Sequence, residues 1–213
     1  MCVTYTGREA MSAPSGFRHI AGALDRKAQE NLCLEIAEVL RSAPLYTPTM
    51  PRSGKPFSVR MTNCGPLGWV SDKSGYRYQQ AQPVSGNPWP PMPEQLLGLW
   101  QEFTGFAAPP EACLVNWYGP KAKLGLHVDA DEAETQAPVL SLSLGDDAWF
   151  RIGGLQRRDP TERILLKSGD IVVLGGEARL AYHGIDRIQP GTSDLLAEHG
   201  RFNLTLRRVN VAN

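Results

Sequence analysis

His127, Asp129 and His183 are the residues of this chain whose types and spacing point most directly to chemistry. The first two stand in HVD at 127–129 and the third in LAYHGI at 180–185. Two imidazoles and a carboxylate make the facial triad that holds non-haem Fe(II) and leaves coordination positions open. Open positions let O₂ and a co-substrate meet on one metal. The stretch RFNLTLR follows at 201–207, with Arg201 and Arg207 on an alternating pattern. Arginine grips carboxylates bidentately, so the matching co-substrate is a dicarboxylate such as 2-oxoglutarate.

Each piece alone has a bland reading. An HxD arises by chance, a lone histidine is more often a satisfied structural residue, and strand arginines more often form a solvated face. The order carries the inference: HxD, a long gap, His, then an arginine-rich strand. His127 and Asp129 are two apart, so on extended backbone they point the same way. His183, beyond a strand-like run, can reach them from another strand.

The elements that must position these groups are legible in outline. Residues 1–16 are expected to form a flexible N-terminus. Asp25 caps a helix running to about Arg41, with Leu32, Ile36, Val39 and Leu40 as its apolar stripe. Residues 45–91 are rich in Pro, Gly and polar side chains, with short extended pieces, as a lid would be. Pro93 opens a second helix from a first-turn position, with Leu96, Leu97, Trp100 and Phe103 facing inward. These helices brace a sheet and carry no chemistry.

From Ala112 the pattern changes to short strands punctuated by Gly or Pro: CLVNWY, PVLSLSLG, AWFRIGG, RILLKSGDIVVLGG, ARLAYH and RFNLTLRRV. Many short strands with turns predict an α+β, mainly β fold whose core, over 112–208, is a sandwich or barrel. Ser168-Gly169-Asp170 and Gly175-Gly176 read as tight turns near the metal strand. No internal repeat and no second domain is apparent, so 17–213 is expected to be a single catalytic domain.

Composition sets the bounds. The chain has 213 residues, enough for one domain with a sizeable core. No apolar run approaches a membrane span, and the N-terminus lacks a basic-then-apolar signal. Cys2, Cys33, Cys64 and Cys113 are far apart, which predicts free thiols in a reducing, cytoplasmic setting. A monomer is the default expectation. Formal net charge is +0, which counts against a simple polyanion binder. Locally the balance differs. Arg52, Lys55, Arg60, Lys73 and Arg77 share the segment from Thr47 to Pro90 with one acid, Asp72, and with Trp69, Tyr76, Tyr78 and Trp89. Cations for phosphates and rings for bases suit a single strand. A mobile surface loop with incidental charge is the plain alternative.

At this point the chain resembles the AlkB family of oxidative demethylases, which are Fe(II)- and 2-oxoglutarate-dependent dioxygenases. The resemblance runs over residues 17–208. It is carried by MTNCGPLGWVSDKSGYRY (61–78), NPWPPMP (87–93), CLVNWYGPKAKLGLHVDADE (113–132), PVLSLSLG (138–145), IGGLQRRDP (152–160), SGDIVVLGGEARLAYHGI (168–185) and RFNLTLR (201–207). It implies a double-stranded β-helix, or jelly roll, under a nucleotide-recognition lid.

The resemblance also implies roles. His127, Asp129 and His183 would ligate Fe(II). Arg201 would pair with the distal C5 carboxylate of 2-oxoglutarate, assisted by Asn116 and Tyr118, with Asn203 and Arg207 near the C1 end. Thr205, two beyond Asn203, would enter the same barrel. Trp117 falls within this cofactor-binding stretch, although alternation turns it away. Substrates would be N1-methyladenine and N3-methylcytosine in single-stranded DNA, with duplex DNA and RNA as further candidates. Trp69 would form one wall of the base pocket, attracted to the cationic ring, with His127 on the other side. Asp131 would favour the cationic lesion. Tyr76, Arg77 and Tyr78 would reach backbone or sugar, and Arg157 a second substrate-side position. O₂ would convert 2-oxoglutarate to succinate and CO₂. The hydroxylated N-methyl group would leave as formaldehyde.

Three departures from the family pattern stand out. Trp117 occupies a place commonly held by a charged residue. Ile152 replaces an aromatic near the co-substrate, predicting a looser pocket. Asp146-Asp147 adds acid near a core turn. Two rival readings follow: an oxygenase acting on RNA, protein or a small molecule, and a non-catalytic binding module that kept the fold. The lid aromatics favour a nucleobase over the first, and the intact triad argues against the second.

Overall fold

The structure is a computed structural model that describes residues 13–212. Helix α1 (Arg26–Ser42) begins where Asp25 accepts the Ala28 N–H at 2.8 Å, satisfying one of the unpaired donors of its first turn. Leu32, Ile36 and Val39 are buried along it and Leu40 is half-buried. Helix α2 (Glu94–Thr104) has Pro93 as its N-cap, not as a first-turn residue, and ends at Gly105 in the left-handed region. Its inward face is Leu96, Leu99, Trp100 and Phe103. Leu97, expected inward, is 38% exposed. The i, i+3, i+4, i+7 stripe runs through the other four, and Leu97 sits one residue off it.

The strands are β1 (Phe17–Ile20), β2 (Arg60–Cys64), β3 (Gly68–Asp72), β4 (Gly75–Gln79), β5 (Ala112–Tyr118), β6 (Leu124–His127), β7 (Val139–Gly145), β8 (Asp147–Ile152), β9 (Glu162–Leu166), β10 (Ile171–Leu174), β11 (His183–Gln189) and β12 (Arg201–Arg207). A six-stranded sheet runs β1-β10-β7-β12-β5-β2, a four-stranded sheet runs β6-β11-β8-β9, and β3-β4 is a separate hairpin. This is a double-stranded β-helix, in which strands distant in sequence become neighbours.

Period-two alternation divides the six-stranded sheet into two faces. Leu140, Leu142 and Leu144 of β7, Leu204 and Leu206 of β12, and Cys113 and Val115 of β5 form one core with the buried faces of α1 and α2. The opposite residues, including Leu114, Tyr118, Val139, Val172 and Leu174, meet Ala148, Phe150, Ile152, Ile185 and Ile188 of the smaller sheet. The polar side chains of β5 and β12 lie on this second face, between the sheets.

Three expectations are corrected here. ARLAYH is not a strand: Gly176–Leu180 is a 3-10 helix, and His183 begins β11 instead of following a strand. Gly176 turns the chain at φ 52, and the turn buries Ala178 and Arg179. Residues 13–16, expected in a flexible N-terminus, are tied down. The carbonyls of Ser15 and Gly16 accept from Ala178 and Gly175 at 2.9 and 3.1 Å, and β1 closes the sheet edge beside them. Residues 1–12, with Cys2, lie outside the described residues. The Ser168–Asp170 turn does not adjoin the metal strand: Gly169 donates to the carbonyl of Ser143, at the end of the sheet where Arg201 lies.

Cys33, Cys64 and Cys113 are free. Cys64 faces Cys113 across β2 and β5, and that contact together with burial pushes the Cys113 thiol well up, leaving it unreactive. Asp146 is structural: its Oδ1 accepts from the backbone of Gly191, Thr192 and Ser193 at 3.0–3.1 Å, fixing the turn after β11. Among the described residues no helix is long and apolar enough to cross a membrane.

Candidate active site

Strands β6 and β11 pair so that His127 and His183 stand directly opposite, with ring centroids 4.5 Å apart. Gly184 permits the approach, because a Cβ there would sit 2.6 Å from the Leu124 carbonyl oxygen. Asp129 follows β6 by two residues. Its oxygens lie 3.8 Å from His127 Nε2 and 3.9 Å from His183 Nε2. These separations are too long for hydrogen bonds, yet the three ligand atoms all fall within 4.8 Å of one another.

Each histidine is oriented by the backbone carbonyl two residues before it. Nδ1 of His127 lies 3.0 Å from the Gly125 carbonyl, and Nδ1 of His183 lies 3.0 Å from the Ala181 carbonyl. A carbonyl only accepts, so Nδ1 carries the proton and the Nε2 lone pair is left for a metal. Burial, with His127 adding to it and Asp129 opposing, holds His183 down to about 4. It is therefore the neutral, ligating form at ordinary pH. Burial would raise the Asp129 carboxyl, but Arg207, His183 and His127 outweigh it and keep it ionised far into acid. Two imidazole nitrogens and a carboxylate with this spacing fit Fe(II).

A cavity of about 270 Å³ opens above the triad between the sheets. Arg201, Asn203, Thr205 and Arg207 project into it from β12, and Asn116 and Tyr118 from β5. Arg201 is completely buried. Its Nη2 donates to Ser143 Oγ at 2.6 Å, while Nε and Nη1 find no partner among the described residues, nor does Asn116 Oδ1. Burial lowers the Arg201 guanidinium to about 10, against the pull of Tyr118, Asp170 and Asp147. A buried cation with two open donors asks for an anion, and its fork matches a carboxylate. Near the triad, Arg207 donates to Asp129 Oδ1 and Oδ2 at 2.9 and 3.2 Å, and its Nη1 has no partner among the described residues. The cavity thus offers open cationic donors at both ends, one beside the metal ligands, which fits a dicarboxylate such as 2-oxoglutarate. Asn203 is held by Ser141, Leu142 and Thr205 and acts as a fixed polar wall.

Two residues expected near the co-substrate stand elsewhere. Trp117 points out of the cavity and packs on Phe202, ring centroids 4.6 Å apart, because it alternates with Asn116 and Tyr118. Ile152 is buried opposite His183 in the β8–β11 register and does not line the cavity. Phe150 does, 6.0 Å from the His183 ring.

The β3–β4 hairpin covers the mouth. Trp69 pairs across it with Tyr78, and Ser71 with Tyr76, so these share a face; Val70 and Arg77 share the other. Trp69 and Tyr76 line the cavity, stacked at 5.4 Å and 19°. Trp69 Nε1 donates to Asp131, also in the lining, at 2.7 Å. Tyr78, Arg77 and Arg157 do not line it. Tyr78 turns inward and donates its hydroxyl to Glu132. Arg77 lies behind the hairpin, bonded to Asp72 at 2.8 and 3.0 Å. Three consecutive strand residues cannot share one face, which corrects the expectation for residues 76–78. Arg157 is exposed and donates to the Leu126 carbonyl at 3.1 Å.

Sequence reasoning missed Arg179 and Glu132. Arg179 is buried and donates to the carbonyls of Asp129 and Ala137 at 2.6 and 2.9 Å and to Glu132 at 2.9 Å. The misread ARLAYH stretch hid the first, and the acid run DADEAE hid the second. The one available signal was a cation amid small apolar residues.

Comparison with known proteins agrees with this geometry. Residues 16–207 match the family model of the 2OG-Fe(II) oxygenase superfamily. The alpha-ketoglutarate-dependent dioxygenase AlkB homolog of Caulobacter vibrioides is 50% identical over 197 residues, covering 92% of this chain and 89% of that protein. Alpha-ketoglutarate-dependent dioxygenase AlkB of Escherichia coli is 44% identical over 186 residues, covering 85% of each. The solved structure of OsALKBH1 superimposes with a TM-score of 0.80 at 29% identity, over 94% of this chain and 99% of that one. The chain therefore belongs to the AlkB family within the 2OG-Fe(II) oxygenase superfamily, and is a dioxygenase that uses Fe(II), 2-oxoglutarate and O₂.

Proposed function

We propose that this dioxygenase removes N-methyl groups from alkylated nucleobases, N1-methyladenine and N3-methylcytosine, in single-stranded DNA, releasing formaldehyde, succinate and CO₂. The observation that carries the reading is the wall of the cavity above the triad: the indole of Trp69 and the carboxylate of Asp131, bonded to each other. A π face and a fixed negative charge together suit a flat cationic ring. A ring methylated at these nitrogens is cationic and has lost its pairing edge, so extruding it costs less than extruding an intact base.

His127, Asp129 and His183 hold the metal, and Arg201 and Arg207 fix the two ends of 2-oxoglutarate. When bound, Fe(II) supplies the oxidation by O₂ that decarboxylates 2-oxoglutarate and hydroxylates the N-methyl carbon. The chain's own groups position the base. Trp69 stacks on it opposite His127, Asp131 accepts from its exocyclic amine, and the apolar walls exclude water. Tyr76, half-exposed on the Trp69 stack, meets the flanking nucleotide. Arg157, anchored beside His127, meets phosphate. The hydroxymethyl product then gives its hydroxyl proton to water and breaks its C–N bond, and the pair of electrons of that bond returns to the ring nitrogen as formaldehyde leaves.

The test is mass spectrometry of an N1-methyladenine oligonucleotide exposed to air with the Fe(II)-reconstituted protein and 2-oxoglutarate. Loss of one methyl mass, dependent on both iron and 2-oxoglutarate, is expected. Succinate formation without methyl loss would overturn the nucleobase assignment and point to another substrate.

A further inference from the structure

We propose that Glu132, held by Arg179, couples the lid hairpin to the iron ligand Asp129, so that metal occupancy and lid anchoring reinforce each other. The inference rests on the reading above only in taking the β3–β4 hairpin as the substrate lid.

Two hairpin residues that face each other across β3 and β4, Trp69 and Tyr78, are fastened to two consecutive residues of the metal segment, Asp131 and Glu132. The Glu132 carboxylate is buried and bonded at both oxygens. One oxygen takes the Tyr78 hydroxyl and lies 3.4 Å from Arg207 Nε; the other takes Arg179 Nη2 at 2.9 Å. Arg179 also donates from Nη1 to the Asp129 carbonyl at 2.6 Å and from Nε to the Ala137 carbonyl at 2.9 Å. The guanidinium is a rigid plane, so gripping Asp129 and Glu132 together fixes the distance between them. Arg207 closes the circuit, bonded to both oxygens of Asp129 and next to Glu132. Any shift of Asp129 is carried through two arginines to Glu132, and through the Tyr78 hydroxyl to the hairpin. A buried network of charged groups transmits displacement, because loosening one bond strands a charge. By linkage, a metal that orders Asp129 must also tighten the hairpin, and a hairpin that closes must tighten metal binding. Glu132 and Arg179 are positioning residues in this scheme.

Hydrogen exchange read by mass spectrometry on residues 68–79 tests it, with Mn(II) as a redox-inert probe. In the parent protein, Mn(II) with 2-oxoglutarate should slow hairpin exchange. Tyr78→Phe removes one hydroxyl and should speed hairpin exchange about ten- to a hundredfold, the range for one hydrogen bond to a buried charge. It should also diminish the response of the hairpin to Mn(II), with the Trp69–Asp131 bond carrying the remainder, while exchange in β12 stays unchanged. Glu132→Gln should weaken Mn(II) binding as well. If Glu132→Gln does not fold, the Tyr78→Phe result decides alone. Parent-like exchange in Tyr78→Phe, a hairpin indifferent to Mn(II) in the parent, or an undiminished Mn(II) response in Tyr78→Phe would each overturn the coupling. None of these readouts needs a nucleic-acid substrate, so failure to demethylate an oligonucleotide would sink the proposed substrate and leave the coupling standing.

Discussion

Replacing Arg201 by methionine should separate co-substrate binding from folding. Arg201 is completely buried, and of its three guanidinium nitrogens only Nη2 is bonded within the described chain, to Ser143. The two open nitrogens are each expected to donate to a carboxylate oxygen of 2-oxoglutarate. Charge-assisted hydrogen bonds contribute about 1.5–3 kcal/mol each, so two are worth about 3–6 kcal/mol, or roughly a hundredfold to ten-thousandfold in affinity at about 1.4 kcal/mol per decade. In the absence of 2-oxoglutarate the same change removes a desolvated, uncompensated cation. Apolar side chains of similar volume are commonly neutral or stabilising at such positions. The variant without ligand should therefore melt no lower than its parent. A parent protein at a hundred times its dissociation constant of 2-oxoglutarate gains about 2.7 kcal/mol, a rise of roughly 5–11 °C for a domain of this size. The variant should gain at most about 0.4 kcal/mol at that concentration. Calorimetric titration of the Mn(II)-loaded proteins and thermal melts with and without 2-oxoglutarate are the assays. An affinity within threefold of the parent would refute the role given to Arg201. A large loss of stability without ligand would refute the argument about its burial.

Three further outcomes follow from the geometry. Gly184→Ala drives a methyl to 2.6 Å from the Leu124 carbonyl. It should cost about 1–3 kcal/mol in a urea melt and weaken Mn(II) binding by spreading His127 from His183; unchanged metal affinity would count against register as the device that sets the triad. Trp69→Ala should cripple demethylation of a methylated oligonucleotide while iron content stays intact, and undiminished turnover would defeat Trp69 as the base wall. His183 titrates near 4 in the fold against 6.5 ordinarily. As pH falls the unfolded chain takes the proton first, so stability is full above about 6.5 and declines toward about 4, by about 1.4 kcal/mol per pH unit for one proton. Asp129, also depressed, extends the loss to lower pH. Denaturant melts of the metal-free protein and of His183→Asn between about pH 7 and about pH 5 check it; equal slopes would show that His183 contributes nothing.

Much of the chemistry was present in the residues themselves. His127 and Asp129 are local neighbours with a two-residue spacing, and the alternation of RFNLTLR places Arg201, Asn203, Thr205 and Arg207 on one face whatever the surroundings, because strand geometry fixes it. The same rule turns Trp117 outward and, applied strictly, also splits Arg77 from Tyr76 and Tyr78. The Asp25 cap and the stripe of α1 were readable for the like reason that their partners lie within a few residues.

The remainder depended on contacts between distant segments. Nothing local opposes His183 to His127 or tells a 3-10 turn from a strand in ARLAYH; the long-range pairing of β11 with β6 and β8 does both. Glu132 reads as one more acid in a run until Tyr78, Arg179 and Arg207 surround it. Sequence by itself determined which groups could bind iron and a dicarboxylate, since those depend on residue type and short-range periodicity. Tertiary structure alone decided which of them are buried without partners, and burial is what turns a guanidinium into a carboxylate receptor and an imidazole into a neutral ligand.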